Sequence, residues 1–189
     1  MRKILFIHGL ASSGAYKTAD TLRILLKPCE VIAPDVPIDP ADALSLLEDL
    51  VRRERPDLVV GLSLGGFWAL QLHGVPRIVI NPDLHPSALL RSRLGGMQYL
   101  SPRRDGAVSF VIDEDICRGY EALEAPCADD AAPVRGMFAE NDELVAAVDE
   151  FEIRFPGCAV RYPGGHLPTY PQIKRHLVPL ALELLAEKL

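Results

Sequence analysis

Three residue types that together make a carbonyl-attacking nucleophile stand just past apolar runs of this chain. Ser63 sits in Gly61-Leu62-Ser63-Leu64-Gly65, followed by Gly66; Asp142 lies in "MFAENDELV" and His166 in "YPGGHLPTY". A serine hydroxyl attacks only when a base takes its proton and an acid orients that base. A serine on the sharp turn from a strand into a helix takes strained angles, and glycines two residues to either side let strand and helix approach. The start of the following helix then points backbone N–H groups at the same spot. The chain order Ser, Asp, His is the one this strand–turn–helix arrangement uses. Each assignment has a competitor. Asp142 also suits a helix N-cap, with Asn141 beside it, and Glu140 and Glu143 are neighbouring carboxylates. Gly164-Gly165 and Pro168 shape the turn that carries His166. His73, His85 and His176 lack comparable placement and are read as structural or solvent-facing.

Elements that would position these groups are legible as apolar runs at Lys3 to His8, Leu58 to Leu62, Arg77 to Asn81 and Val134 to Ala139, with Cys158 to Tyr162 a fifth and Glu30 to Ala33 a short sixth. Leu58, Val59 and Val60 do not alternate with polar residues, which marks a central strand covered on both faces. Helical spacing fills the intervals at Thr18 to Leu26, Pro40 to Arg53, Asp142 to Phe151 and Ile173 to Leu189. Strands alternating with helices of this length imply an α/β fold, doubly wound, with a mostly parallel sheet. Ser63, Asp142 and His166 would then emerge at one edge of that sheet. Residues 82–132 are the least regular: "GGMQYLSPRRDGA" reads as loop and "DEDICRGYEALE" as a short helix with an acidic first turn. Such an excursion is a candidate cover over a site.

The chain of 189 residues suits one domain spanning 1–189. Its 26 acidic against 20 basic residues give a net charge of −6, which argues against nucleic acid as a partner. The apolar stretch after Arg2-Lys3 is too short for a secretory leader, and no run approaches a membrane span. Cys29, Cys117, Cys127 and Cys158 form no C-x-x-C pair, so a reducing, cytoplasmic setting is expected. Gly9 to Gly14 has the spacing of half a phosphate loop, but Ala15-Tyr16 stands where Lys-Ser/Thr is needed. No dinucleotide fingerprint and no metal-ligand spacing occurs, so neither cofactor nor metal is expected. Instead, His8-Gly9 after the first run is similar to the H-G segment of hydrolases, in which a backbone N–H turns toward the nucleophile. Leu10 N–H and Leu64 N–H would hold the oxyanion.

The set "ILFIHGLASSG", "GLSLGG", "INPDLHPS", "MFAENDELV" and "GGHLPTYPQI" resembles the small bacterial YqiA-like esterases of the α/β-hydrolase superfamily. The resemblance spans nearly the whole chain and thins over residues 82–132. It implies a compact α/β-hydrolase fold and hydrolysis of small carboxylic esters or acyl thioesters through an acyl-enzyme, without cofactor, with Ser63, Asp142 and His166 aligned to the family's triad. Trp68, Leu94, Met97 and Tyr99 are candidates for an acyl pocket, Trp68 and Met97 also suiting the core. Acyl transfer or amide hydrolysis on the same groups, or a decayed site that only binds, are the alternatives.

Overall fold

The computed structural model describes residues 1–124 and 130–186. The chain runs β1 (Lys3–Ile7), α1 (Lys17–Leu25), β2 (Glu30–Ile32), α2 (Pro40–Glu54), β3 (Leu58–Leu62), α3 (Leu64–Gln71) and β4 (Arg77–Ile80). It continues through α4 (Pro86–Arg91), β5 (Gly95–Gln98), β6 (Ser109–Ile112), α5 (Glu114–Leu123), β7 (Val134–Ala139), α6 (Val148–Arg154) and β8 (Ala159–Tyr162). It closes with α7 (Tyr170–Gln172), a π-helical segment (Ile173–Leu177) and α8 (Val178–Ala186). Six strands form one sheet in the order β2-β1-β3-β4-β7-β8, every pairing parallel. The α/β, doubly wound fold expected from the apolar runs is therefore what the chain adopts.

Each inner strand is buried on both faces, as parallel strands with crossover helices must be. Ile4, Phe6, Leu58, Val60, Ile78 and Ile80 pack on one side with Ala19 and Leu22 of α1 and with Ala181 and Leu184 of α8. Leu5, Ile7, Val59 and Val79 pack on the other, with Leu47 of α2, Phe67 and Trp68 of α3, Tyr120 of α5 and Phe151 of α6. Register aligns the carboxyl ends: Ile7 lies opposite Gly61, Gly61 opposite Val79, and Ile80 opposite Met137. Segments that follow β1, β3, β4, β7 and β8 therefore leave the sheet along one edge, where ligands bind in open α/β folds.

Two expectations give way. Residues 95–107, read as loop, contain β5, which pairs antiparallel with β6 from Gly95 opposite Ile112 to Gln98 opposite Ser109. Gly95-Gly96 and a mostly exposed strand hide it from any periodicity. The helix expected from Asp142 begins only at Val148, because the Asp142 carboxylate accepts from Leu144 N (2.8 Å) and Val145 N (3.0 Å) and holds a turn instead. The final helix is followed to Ala186, and residues 187–189, like Cys127, lie outside the described residues; Cys29, Cys117 and Cys158 are free thiols. No helix among the described residues is long and apolar enough to cross a membrane.

Between β4 and β7 the chain builds α4, the β5–β6 hairpin and α5, and the hairpin meets the loops that follow β1 and β2. The hairpin is tied down. Leu100 N donates to Ala11 O (2.7 Å), Ser101 Oγ to Ser13 Oγ (3.0 Å), and Arg104 N to Asp35 Oδ2 (2.6 Å). Arg103 lies over the Tyr99 ring at 4.3 Å and donates to Val36 O (3.1 Å).

Candidate active site

Ser63 occupies the bend between β3 and α3 at φ 56°, ψ −119°. Such angles cost a non-glycine residue about 1–3 kcal/mol and persist only where the surroundings impose them. Here they do: Ser63 N donates to Ile80 O (2.9 Å), while Ser63 O accepts from Gly66 N (2.8 Å), Phe67 N (3.2 Å) and Asp83 N (3.3 Å). The flanking glycines are compulsory. A Cβ on Gly61 would lie 2.0 Å from Gly65 O, one on Gly65 2.1 Å from Ile7 O, and one on Gly66 2.8 Å from Pro82 Cβ.

The turn after β8 carries His166, 3% exposed, and the turn after β7 carries Asp142. His166 Nδ1 lies 3.0 and 2.9 Å from the two Asp142 carboxylate oxygens, so the hydrogen of the neutral ring sits on Nδ1 and Nε2 carries the lone pair. Asp142 thus contacts the His166 ring and the backbone of the Leu144–Val145 turn at once, and it is not the N-cap of a helix, since α6 is preceded by Ala147. Glu143 serves differently: its Oε2 accepts from the backbone N of His166 (3.1 Å). Ser63 and His166 line one cavity of about 200 Å³. No direct Ser63–His166 hydrogen bond is formed, and such bonds commonly close only around substrate.

Asn81, in the segment "INPDLHPS", is a further candidate whose role the sequence alone does not disclose. It is 2% exposed, at φ 43°, immediately after β4. Its Nδ2 donates to His166 O (2.6 Å) and to Tyr162 Oη (2.9 Å), and its Oδ1 accepts from Ala139 N (2.7 Å). Tyr162 Oη in turn donates to Gly165 O (3.3 Å), and burial pushes that phenol up to about 12. One amide thereby joins the ends of β4, β7 and β8 beneath the histidine turn. The left-handed φ explains the residue type, since Asn tolerates it where a bulkier side chain does not.

On the other side of Ser63, Leu64 is the first residue of α3, so its N–H is free of the helical ladder. Gly9 packs so close that a Cβ there would lie 3.3 Å from Ser63 Cβ. His8 fixes the next peptide: Val36 N donates to its Nε2 (3.0 Å), which leaves Nδ1–H to donate to Gly9 O (2.8 Å). With that carbonyl held toward His8, the trans geometry turns Leu10 N–H the opposite way. Burial lowers the His8 pKa from 6.5 to about 4. The folded state therefore holds the neutral ring, and the unfolded chain binds the extra proton between those values. Stability from this group is complete above pH 6.5 and is lost as pH falls toward 4, by about 3 kcal/mol in all. Urea unfolding at a series of pH values should show this slope in the wild type and a shallower one in His8→Gln.

The cavity wall is largely apolar, with Leu10, Leu62, Leu89, Met97, Leu144 and Leu167 among its residues. Of the four acyl-pocket candidates, Met97 lines it. Trp68 and Tyr99 line a separate void of about 20 Å³ together with Leu10 and Leu64, and Leu94, half exposed on the surface, lines neither. Asp83, next to Pro82, is buried with Oδ2 unpartnered, and burial pushes its carboxyl up.

Comparison with known proteins accords with this architecture. Solved structures with the same fold include the monoacylglycerol lipase of Paleococcus ferrophilus (14% identity, TM-score 0.70, 98% of this chain and 94% of that one). Est1E from Butyrivibrio proteoclasticus matches at 17% identity and TM-score 0.75, over 98% and 88% of the two chains. The type II thioesterase BorB from the borrelidin biosynthetic cluster matches at 16% and 0.61, over 97% and 92%. The fold is thus that of the α/β hydrolases. Residues 3–130 match the model of one family, described as Uncharacterised protein family (UPF0227).

Proposed function

This chain belongs to the Uncharacterised protein family (UPF0227), and on that footing we propose that it is a serine hydrolase cleaving carboxylic esters or acyl thioesters through an acyl-enzyme. The observation that carries the reading is His166: Asp142 holds its Nδ1, and the ring lines the same apolar cavity as a strained serine. Structural likeness to a lipase and a thioesterase supports it.

In this reading His166 Nε2 takes the Ser63 proton as Oγ attacks the acyl carbon. Leu64 N–H and Leu10 N–H stabilise the oxyanion, each by roughly 3 kcal/mol in well-aligned sites. Asp142 holds the productive tautomer and steadies the imidazolium. His166 then gives its proton to the departing alcohol or thiol, and in the second half it activates the water that hydrolyses the acyl-Ser63 ester. We read residues 82–132 as the cover that shapes the acyl side of the site.

Intact mass after exposure to a fluorophosphonate tests the reading. The wild type should gain one phosphonyl group, mapped to Ser63 by peptide analysis, and Ser63→Ala none. An unlabelled wild type would sink the proposal in favour of a hydrolase fold that only binds.

A further inference from the structure

We propose that Arg93 forms an anion-binding subsite at the mouth of the acyl cavity, so that the preferred substrate is an ester or thioester bearing a carboxylate or phosphate. This rests on the serine-hydrolase reading and adds a substrate class to it.

The chain carries more acidic than basic residues, yet the cavity shared by Ser63 and His166 is lined by no carboxylate and by one arginine, Arg93. Arg93 follows α4, exposed, its backbone fixed by a hydrogen bond from its N to Leu90 O (2.9 Å). Other arginines of the 82–132 excursion are occupied. Arg91 pairs with Glu114 and Glu121, Arg103 with Asp105, Arg118 with Asp115, and the Arg104 guanidinium donates to Ala33 O (3.1 Å). Among the described residues, no carboxylate pairs with Arg93. A guanidinium presents a planar fork of donors that matches carboxylate or phosphate oxygens. Set at the rim of an apolar wall, it attracts the anionic end of a molecule whose acyl part the leucines and Met97 accept.

The anion has two possible positions on such a substrate, at the far end of the acyl chain or on the leaving group, and matched ligand pairs separate them. Binding is measured by calorimetry in the Ser63→Ala background, so that every ligand stays intact. One pair is 4-nitrophenyl butyrate against mono-4-nitrophenyl glutarate, which differ by an acyl-end carboxylate. The other is S-butyryl pantetheine against its 4′-phosphorylated counterpart. The anionic member of one pair should bind about tenfold more tightly at low ionic strength, a factor in keeping with a single charge-assisted contact. The preference should shrink in high salt, fall to within about twofold on adding Arg93→Gln, and survive in part with Arg93→Lys. The pair that separates identifies where the anion sits. Failure of both pairs to separate, or a separation that persists in Arg93→Gln, overturns the subsite. Because the readout is binding and not turnover, either result stands apart from fluorophosphonate labelling of Ser63, on which the hydrolase reading depends.

Discussion

Replacing Asp142 by asparagine should slow ester hydrolysis by about 10⁴-fold in kcat while leaving the protein folded. Asparagine still offers one oxygen to the Leu144 and Val145 N–H groups, so the turn after β7 survives. What changes is the partner of His166 Nδ1, now 2.9–3.0 Å from both carboxylate oxygens. An amide can present its NH₂ there, which favours the tautomer with the hydrogen on Nε2 and leaves no base toward Ser63; a loss of this size accompanies the same change in serine proteases. Steady-state kinetics on a 4-nitrophenyl ester, with far-UV circular dichroism as the folding control, measures it. Glu143→Gln is the companion. Its carboxylate meets the backbone N of His166 and not the ring, so its loss should cost far less than that of Asp142. Equal losses would move the orienting acid away from Asp142.

Asn81→Ala should show the second large effect, on stability and turnover together. The truncation leaves Ala139 N–H, the His166 carbonyl and one bond of Tyr162 Oη unsatisfied in a site only 2% exposed. Each orphaned buried group costs roughly 1–3 kcal/mol, so a loss of about 3 kcal/mol or more in urea unfolding is expected. Below the melting range kcat should still fall, by about 10²-fold, because the histidine turn is no longer braced. Asn81→Asp separates bracing from bulk. It keeps the shape and the acceptor for Ala139 N–H but sets a carboxylate oxygen against the His166 carbonyl at 2.6 Å. If Asn81 positions the base, the acidic variant should lower kcat with little change in KM, and a variant that melts early yet turns over normally would reduce the residue to a structural one.

The candidate triad was readable because parallel strands release their following residues at one edge. Ser63, Asp142 and His166 each follow an apolar run, and the order of the runs was enough to bring them together. Asn81 sits at the same edge, but its work is done by side-chain bonds to two other strand ends, and a single Asn-Pro announces only a bend. Arg93 was hidden for a similar reason: nothing in its neighbourhood of sequence says that the cavity beside it lacks every other charge. The β5–β6 hairpin was illegible locally, since its tethers lie far along the chain, Ala11 O accepting from Leu100 N and Val36 O from Arg103. The late start of α6 was obscured by Leu144, Val145 and Val148, whose helical spacing loses to the Asp142 carboxylate.

The tethers of the hairpin bear on how such a site can change over generations. Leu100 lines the acyl cavity and, through its backbone, is bonded to Ala11; Ser101 reaches Ser13 in the same loop that carries Leu10 N–H. Pocket shape and the proposed oxyanion donors therefore share one scaffold. On the proposed mechanism, a substitution that widens the pocket by shifting the hairpin pulls on the loop that carries Leu10 N–H, so new substrate ranges are reached most readily through cavity side chains outside that bonded seam, such as Leu144 and Leu167. Diversification should then be concentrated on one wall of the cavity while the other stays fixed.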